Sequence, residues 1–144
     1  MTIYDISLTI SPTLPIWPGD PKLVIEKFES MDKGAHNNVS RISSGVHLGT
    51  HVGAPYHFLH DGGTVEQLPL DVLTGACYVV QIPDGVEAIT ADVLERTEIT
   101  SEMKRLLFGT RNSHLWARGI PELQTDFDAI TEDGAEWLVE RGVQ

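Results

Sequence analysis

A chain of 144 residues, 41% hydrophobic and 22% charged, falls within the range of ordinary globular domains, and this excludes the disordered and membrane-embedded classes. Its formal charge of −11 is spread along the chain, so a phosphate backbone would be repelled and nucleic acid is not an expected partner. The single cysteine, Cys77, excludes an intrachain disulfide and, lying in an apolar run, reads as core.

Residues 3–10 alternate loosely between apolar and polar and end at Ser11-Pro12, which predicts a short first strand. Pro15, Pro18, Gly19 and Pro21 then impose an irregular loop. Residues 23–25 and 39–43 read as strands, with Asp32-Lys33-Gly34 supplying turn chemistry between them. Residues 70–73 predict a helical turn, and the apolar run 76–82, closed by Pro83, predicts a central strand. Lys104, Arg105 and Arg111 form a thin basic cluster that reads as a solvated face.

Beyond residue 83 strands and helices alternate. Thr90 caps a helix over 91–95, and residues 105–108 read as a buried strand ending at Gly109. Thr131 caps a last helix whose first turn is acidic through Glu132 and Asp133, whose apolar face is Ala135, Leu138 and Val139, and which Gly142 ends. In an α/β pattern such a helix is ordinarily followed by another strand, yet only Val143 and Gln144 remain. The expected fold is a single α/β domain over 1–144 with a mixed central β-sheet, flanking helices and its last strands missing. No run approaches the roughly 18 apolar residues of a membrane span, and the first residues do not form a leader, so neither a membrane nor export is expected and the cytoplasm is the default.

Four of the six histidines fall between positions 47 and 60: His47, His51, His57 and His60. Neutral imidazole is the commonest metal ligand and the side chain suited to proton transfer near neutrality, so the cluster points to a metal site or an acid–base site. His47, His51 and His57 share parity and would face one side of a strand, which sets His60 apart. A straight strand would hold His47 and His51 roughly 13 Å apart, at about 3.3 Å per residue, so a shared metal requires the backbone to curl. Gly49, Gly53 and Pro55 are residues of a curled segment. His36 and His114 read as solvated or loop-capping residues, and Trp17 and Trp116 as core, with pocket lining the alternative.

The segment from His47 to His57 resembles the HxGTHxDxPxH signature of the cyclase-like metal-dependent hydrolases, a family that includes bacterial kynurenine formamidase. Trp17-Pro18-Gly19-Asp20-Pro21 is similar to the family's early loop, and Gly62-Gly63 with Leu68-Pro69-Leu70 to its stretch after the signature. Residues 137–143 resemble the helix that leads into the family's next strand. The resemblance implies metal ligation by His47 and His51 and general acid–base action by His57, which without a metal is a buried histidine. Gly53 stands where the signature has a ligating aspartate, and the family's remaining ligands, a histidine and a glutamate, come from a later segment that this chain lacks. The implied activity is hydrolysis of an amide or N-formyl bond with a divalent metal, zinc or manganese, held weakly or not at all. His60, Asp61 or a neighbouring subunit are the other sources of a ligand. The alternative is a non-catalytic member that serves as a binding or oligomerising module. A small molecule and a second copy of the chain are the expected partners.

Overall fold

The computed structural model describes residues 2–117 and 123–144, which divide into two compact units. The first holds residues 2–53 and Leu123; the second holds residues 54–117 and 124–144. Helices accompany both parallel and antiparallel strands, the mixed α/β class read from the sequence, and the described strands pair in three two-stranded sheets.

In the first unit β1 (Val24–Glu29) and β2 (Val39–Ser43) form an antiparallel ribbon. Ile25 lies opposite Ile42, and Glu26 opposite Arg41, with which it forms an ion pair. The register shifts between Lys27 and Glu29, leaving Phe28 at a bulge. Between the strands a 3-10 turn, Met31–Lys33, ends at Gly34 with φ 87°, as the turn chemistry of Asp32-Lys33-Gly34 predicts. The strand expected over residues 3–10 does not form. Alternation needs a paired neighbour to become a ladder, and Leu8 N–H donates instead to the side chain of Thr50, at 3.0 Å.

The second unit contains α1 (Leu70–Leu73), β3 (Tyr78–Gln81), β4 (Ala88–Ile89), α2 (Ala91–Glu95), β5 (Leu106–Gly109), α3 (Asn112–Ala117), β6 (Ala129–Ile130) and α4 (Glu132–Glu140). β3 pairs in parallel with β5, and β4 with β6. Parallel pairing requires crossovers, and helices occupy them. The buried core is Ile82, Ile89, Leu94, Trp137 and Leu138. Thr90 Oγ1 accepts from Val93 N–H at 3.3 Å and Thr131 Oγ1 from Gly134 N–H at 3.4 Å, the two N-caps expected. Asp133 joins the two helix starts, because its Oδ2 accepts from Ala91 N–H at 2.9 Å. Bonds from the Thr131 side chain and then from Ala91 N–H hold its carboxyl below the usual carboxylate range. α4 closes in a Schellman motif, with Gly142 N–H on Val139 O at 2.9 Å and Val143 N–H on Leu138 O at 3.1 Å.

Four expectations change here. The buried stripe of α4 is Gly134, Trp137 and Leu138, while Ala135 and Val139 are exposed. The 3.6-residue period holds, but Trp137 carries the largest apolar area and sets its phase. Cys77 is exposed, because pairing with β5 starts one residue later at Tyr78. Among the described residues β3 is paired on one side only, and Tyr78 and Val79 stay exposed, so this run lacks the burial of a central strand. Two members of the basic cluster are structural. Arg105 Nε donates to Val72 O at 3.1 Å beside the end of α1, and Arg111 Nε donates to Asp128 Oδ1 at 2.6 Å. The Asp128 side chain is 1% exposed, and its bond pushes the Arg111 guanidinium pKa further up. No helix among the described residues is long and apolar enough to cross a membrane.

Candidate functional site

His47 and His51 lie in the first unit, on the segment that follows β2. Between them Gly49 takes φ 59°, the left-handed region that a side chain enters only at a cost. A Cβ there would also sit 3.1 Å from Leu14 Cδ2. This curl replaces the straight-strand spacing, and His51 Nε2 comes to 2.8 Å from His47 Nδ1, the two rings edge to face at 4.5 Å between centroids. His51 Nδ1 lies 2.9 Å from Gly49 O. A carbonyl oxygen only accepts, so Nδ1 carries a proton, and in the neutral ring that leaves the lone pair at Nε2. That lone pair accepts from His47 Nδ1–H.

The pair fits a divalent ion. Two imidazole nitrogens on one tetrahedral zinc, each at about 2.0–2.1 Å, stand about 3.3 Å apart. A separation of 2.8 Å therefore has to open only slightly, and His47 has to move its proton to the other ring nitrogen. The His51 Nδ1–H bond to a backbone carbonyl is the kind of contact that orients a ligating imidazole. Two ligands nevertheless fall short of the three protein ligands usual at catalytic zinc. Among the described residues no group of three histidine, cysteine, aspartate or glutamate side chains is arranged to hold a metal. Gly53, two positions after His51, has φ outside the left-handed region, and a Cβ added there meets nothing within 4 Å.

The remaining histidines are placed as follows. His57 ends the 3-10 turn Pro55–His57 of the second unit and is exposed rather than buried, its ring 4.3 Å from that of Phe58. The turn is closed by backbone bonds, Phe58 N–H and Leu59 N–H both reaching Pro55 O. His60 Nδ1 lies 2.8 Å from Asp61 Oδ1, both side chains 98% exposed, so these two engage each other in the second unit. His36 is exposed, as expected. His114 sits on α3 rather than in a loop, and with Asp84, Arg111 and Asp126 it lines a polar cavity of about 290 Å³.

The two exposed tryptophans are corrections. Trp116 is 49% exposed and Trp17 44%, so neither is core. Trp17 contacts His47, the rings edge to face with centroids 6.1 Å apart. The readable signal was the proline-glycine turn after Trp17; the strand partner that brings it to His47 is not written in its own neighbourhood.

The mixed α/β fold with its curled segment from His47 to His51 is that of a cyclase-like domain. The chain is a member of the Cyclase family, whose model matches residues 4–144. It is 38% identical over 145 residues to Cyclase-like protein 1 of Arabidopsis thaliana, covering 96% of this chain and 56% of that protein. It is 37% identical over 142 residues to the kynurenine formamidase of Erythrobacter litoralis, covering 99% of this chain and 62% of that one. Its fold matches a solved structure described as a "potential metal-dependent hydrolase with cyclase activity", with TM-score 0.74 and 28% identity over 97% of this chain and 63% of that chain. The chain thus spans less than two thirds of the length of each of these relatives.

Proposed function

We propose that this chain carries part of a metal-dependent hydrolase site that acts on an amide or N-formyl bond, with an incomplete ligand set. The observation that carries this reading is the His47–His51 pair, 2.8 Å apart, with His51 held in the ligating tautomer by Gly49 O. Membership of the Cyclase family and likeness to a kynurenine formamidase support the reaction class. His47 and His51 would hold zinc or manganese, which supplies Lewis acidity toward a carbonyl oxygen. His57 would pass the proton to the leaving amine. The substrate is a small molecule and the compartment the cytoplasm, in keeping with one unpaired cysteine.

Affinity depends on ligand count and geometry, so the ion should be held loosely. Elemental mass spectrometry of protein dialysed against a mild chelator should find less than one metal per chain. Zinc titration by calorimetry should give heat that His51→Ala abolishes. A stoichiometric metal surviving dialysis would reject the incomplete site, and absence of heat in the unaltered protein would reject the metal reading.

A second reading, a non-catalytic module that assembles with itself, draws support from Gly53 and from the apolar side chains exposed on the β1–β2 ribbon. Val24, Ile25, Phe28 and Ile42 are between 39% and 66% exposed. Pairing with a second copy would cover such a ribbon. Light scattering should then show a dimer or larger species, and a monomer across the micromolar range would reject self-association.

A further inference from the structure

The parallel pair of the second unit leaves one edge of β3 open. Tyr78 N–H donates to Arg105 O at 3.0 Å and Ile82 N–H to Gly109 O at 2.9 Å, so the backbone groups of Tyr78, Val80 and Ile82 are directed at β5. Strand parity then turns the N–H and C=O groups of Val79 and Gln81 to the opposite side, where no strand among the described residues pairs with β3. Edge strands are ordinarily guarded by lysine, proline or an inward charge, and Tyr78-Val79-Val80-Gln81 carries none of these. Val79 is instead 62% exposed. All four residues line one cleft of about 460 Å³, whose other wall includes Val93 of α2 and then Arg96, Glu98 and Met103. Arg96 and Glu98 are exposed, and neither side chain forms a hydrogen bond or ion pair among the described residues.

We propose that the free edge of β3 is the docking surface for a second copy of this chain, with the two β3 strands antiparallel about a twofold axis at Val80. The outward groups of Val79 and Gln81 stand two residues apart, the spacing of successive hydrogen-bonded pairs in an antiparallel ladder. An axis at Val80 therefore sets Val79 of each copy opposite Gln81 of the other, and four N–H···O bonds close the ladder, two for each pair. Val80 meets its own copy as the intervening pair, where side chains approach most closely. The result is a four-stranded sheet with β5 of each copy outermost. Such an edge is its own complement, as a twofold contact requires. The cleft walls are self-complementary in charge as well, because each offers one guanidinium and one carboxylate, and Arg96 of one copy pairs with Glu98 of the other. The contact uses residues of the second unit alone and rests on neither reading of function above; assembly through the β1–β2 ribbon is a separate contact.

The test uses the full chain. Sedimentation across the micromolar range should give a monomer–dimer equilibrium. Amide hydrogen exchange followed by magnetic resonance should show the Val79 and Gln81 N–H groups gaining protection as concentration rises, whereas those of Tyr78 and Ile82, already bonded to β5, are protected throughout. Val79→Pro removes an N–H that β5 does not use, twice in each dimer, and should raise the dissociation constant about tenfold or more. Val79→Lys, a guard of natural edges, should do the same. Arg96→Glu should weaken the dimer about threefold or more, and adding Glu98→Arg should restore it. Ile42→Lys, in the ribbon, should leave the equilibrium unchanged. A monomer at every concentration would overturn the proposal. So would a dimer in which Val79 and Gln81 exchange at a rate independent of concentration, or one that Ile42→Lys dissolves while both Val79 variants leave it intact. The exchange readout is made on the unaltered protein, so it decides the matter even where a variant does not fold. Failure of the double charge reversal to recover what Arg96→Glu lost would overturn the pairing of Arg96 with Glu98.

Discussion

The two units are organised by different physics. The second contains every buried hydrophobic residue among those described, Ile82, Ile89, Leu94, Trp137 and Leu138, gathered beneath α2 and α4. In the first the one buried residue among those described is Ser30, and order comes from a strand ribbon, tight turns and side-chain bonds to the backbone. The unit with the stronger core holds the exposed His57, while the imidazole pair belongs to the unit with almost no core. Precise placement of a side chain thus needs only a short closed segment, provided that the left-handed residue and the carbonyl acceptor lie inside it, as Gly49 does for His51.

That contrast breaks most readily at the core. Leu94 is fully buried, so Leu94→Ala should cost about 2–5 kcal/mol through lost burial and the cavity left behind. The reading is the urea midpoint of far-ultraviolet circular dichroism. In the ribbon, Ile42→Ala removes a side chain that is 61% exposed and should change the midpoint by less than about 0.5 kcal/mol. A cost at Ile42 as large as that at Leu94 would mean that the ribbon is covered by a partner in solution.

At the histidine pair, Gly53→Asp should tighten zinc about tenfold or more, roughly 1.4 kcal/mol, by returning a third, charged ligand. The open space at Gly53 and its ordinary φ mean that the substitution carries little strain. Hydrolysis of N-formyl arylamines should stay low, since turnover also requires a supporting outer shell and a shaped cavity. Unchanged affinity in a folded variant would show that the imidazoles do not converge on an ion.

Smaller effects are expected at the helix starts. Thr131→Ala removes the cap of α4 and should cost about 1 kcal/mol in the same urea experiment. Asp133 has a folded pKa below its ordinary 3.8, so its contribution is present above the carboxylate range and is lost as pH falls through the folded value. Stability should therefore decline as pH falls below about 4, and Asp133→Asn should flatten that decline while lowering the midpoint at neutral pH. An unaltered acid limb in the variant would show that its bonds to Thr131 and Ala91 do not matter for folding.

Local rules made several elements legible before any packing was known. β2 and α1 fall on the residues read for them, and Thr90 and Thr131 cap their helices because an N-cap is settled within four residues. The strands β4 and β6, two residues each, are too short to show a period. α3 has no local signature either; Asn112 at its start holds Asp128 through bonds in both directions, a partnership sixteen residues distant that no local pattern announces.

By itself the sequence determined the family signature, including the glycine at position 53 where the signature has an aspartate, because it lies within one continuous segment. Only the tertiary structure decided which nitrogen of His51 carries the proton, that His57 is exposed, and that Trp17 stands beside His47. Those outcomes depend on hydrogen-bond acceptors, burial and strand register. Burial and register are set by which distant residues meet, whereas the acceptor of His51 lies two residues away and depends on the local curl; a bridge such as Ile16 with Leu48 has no trace in the residues on either side of it.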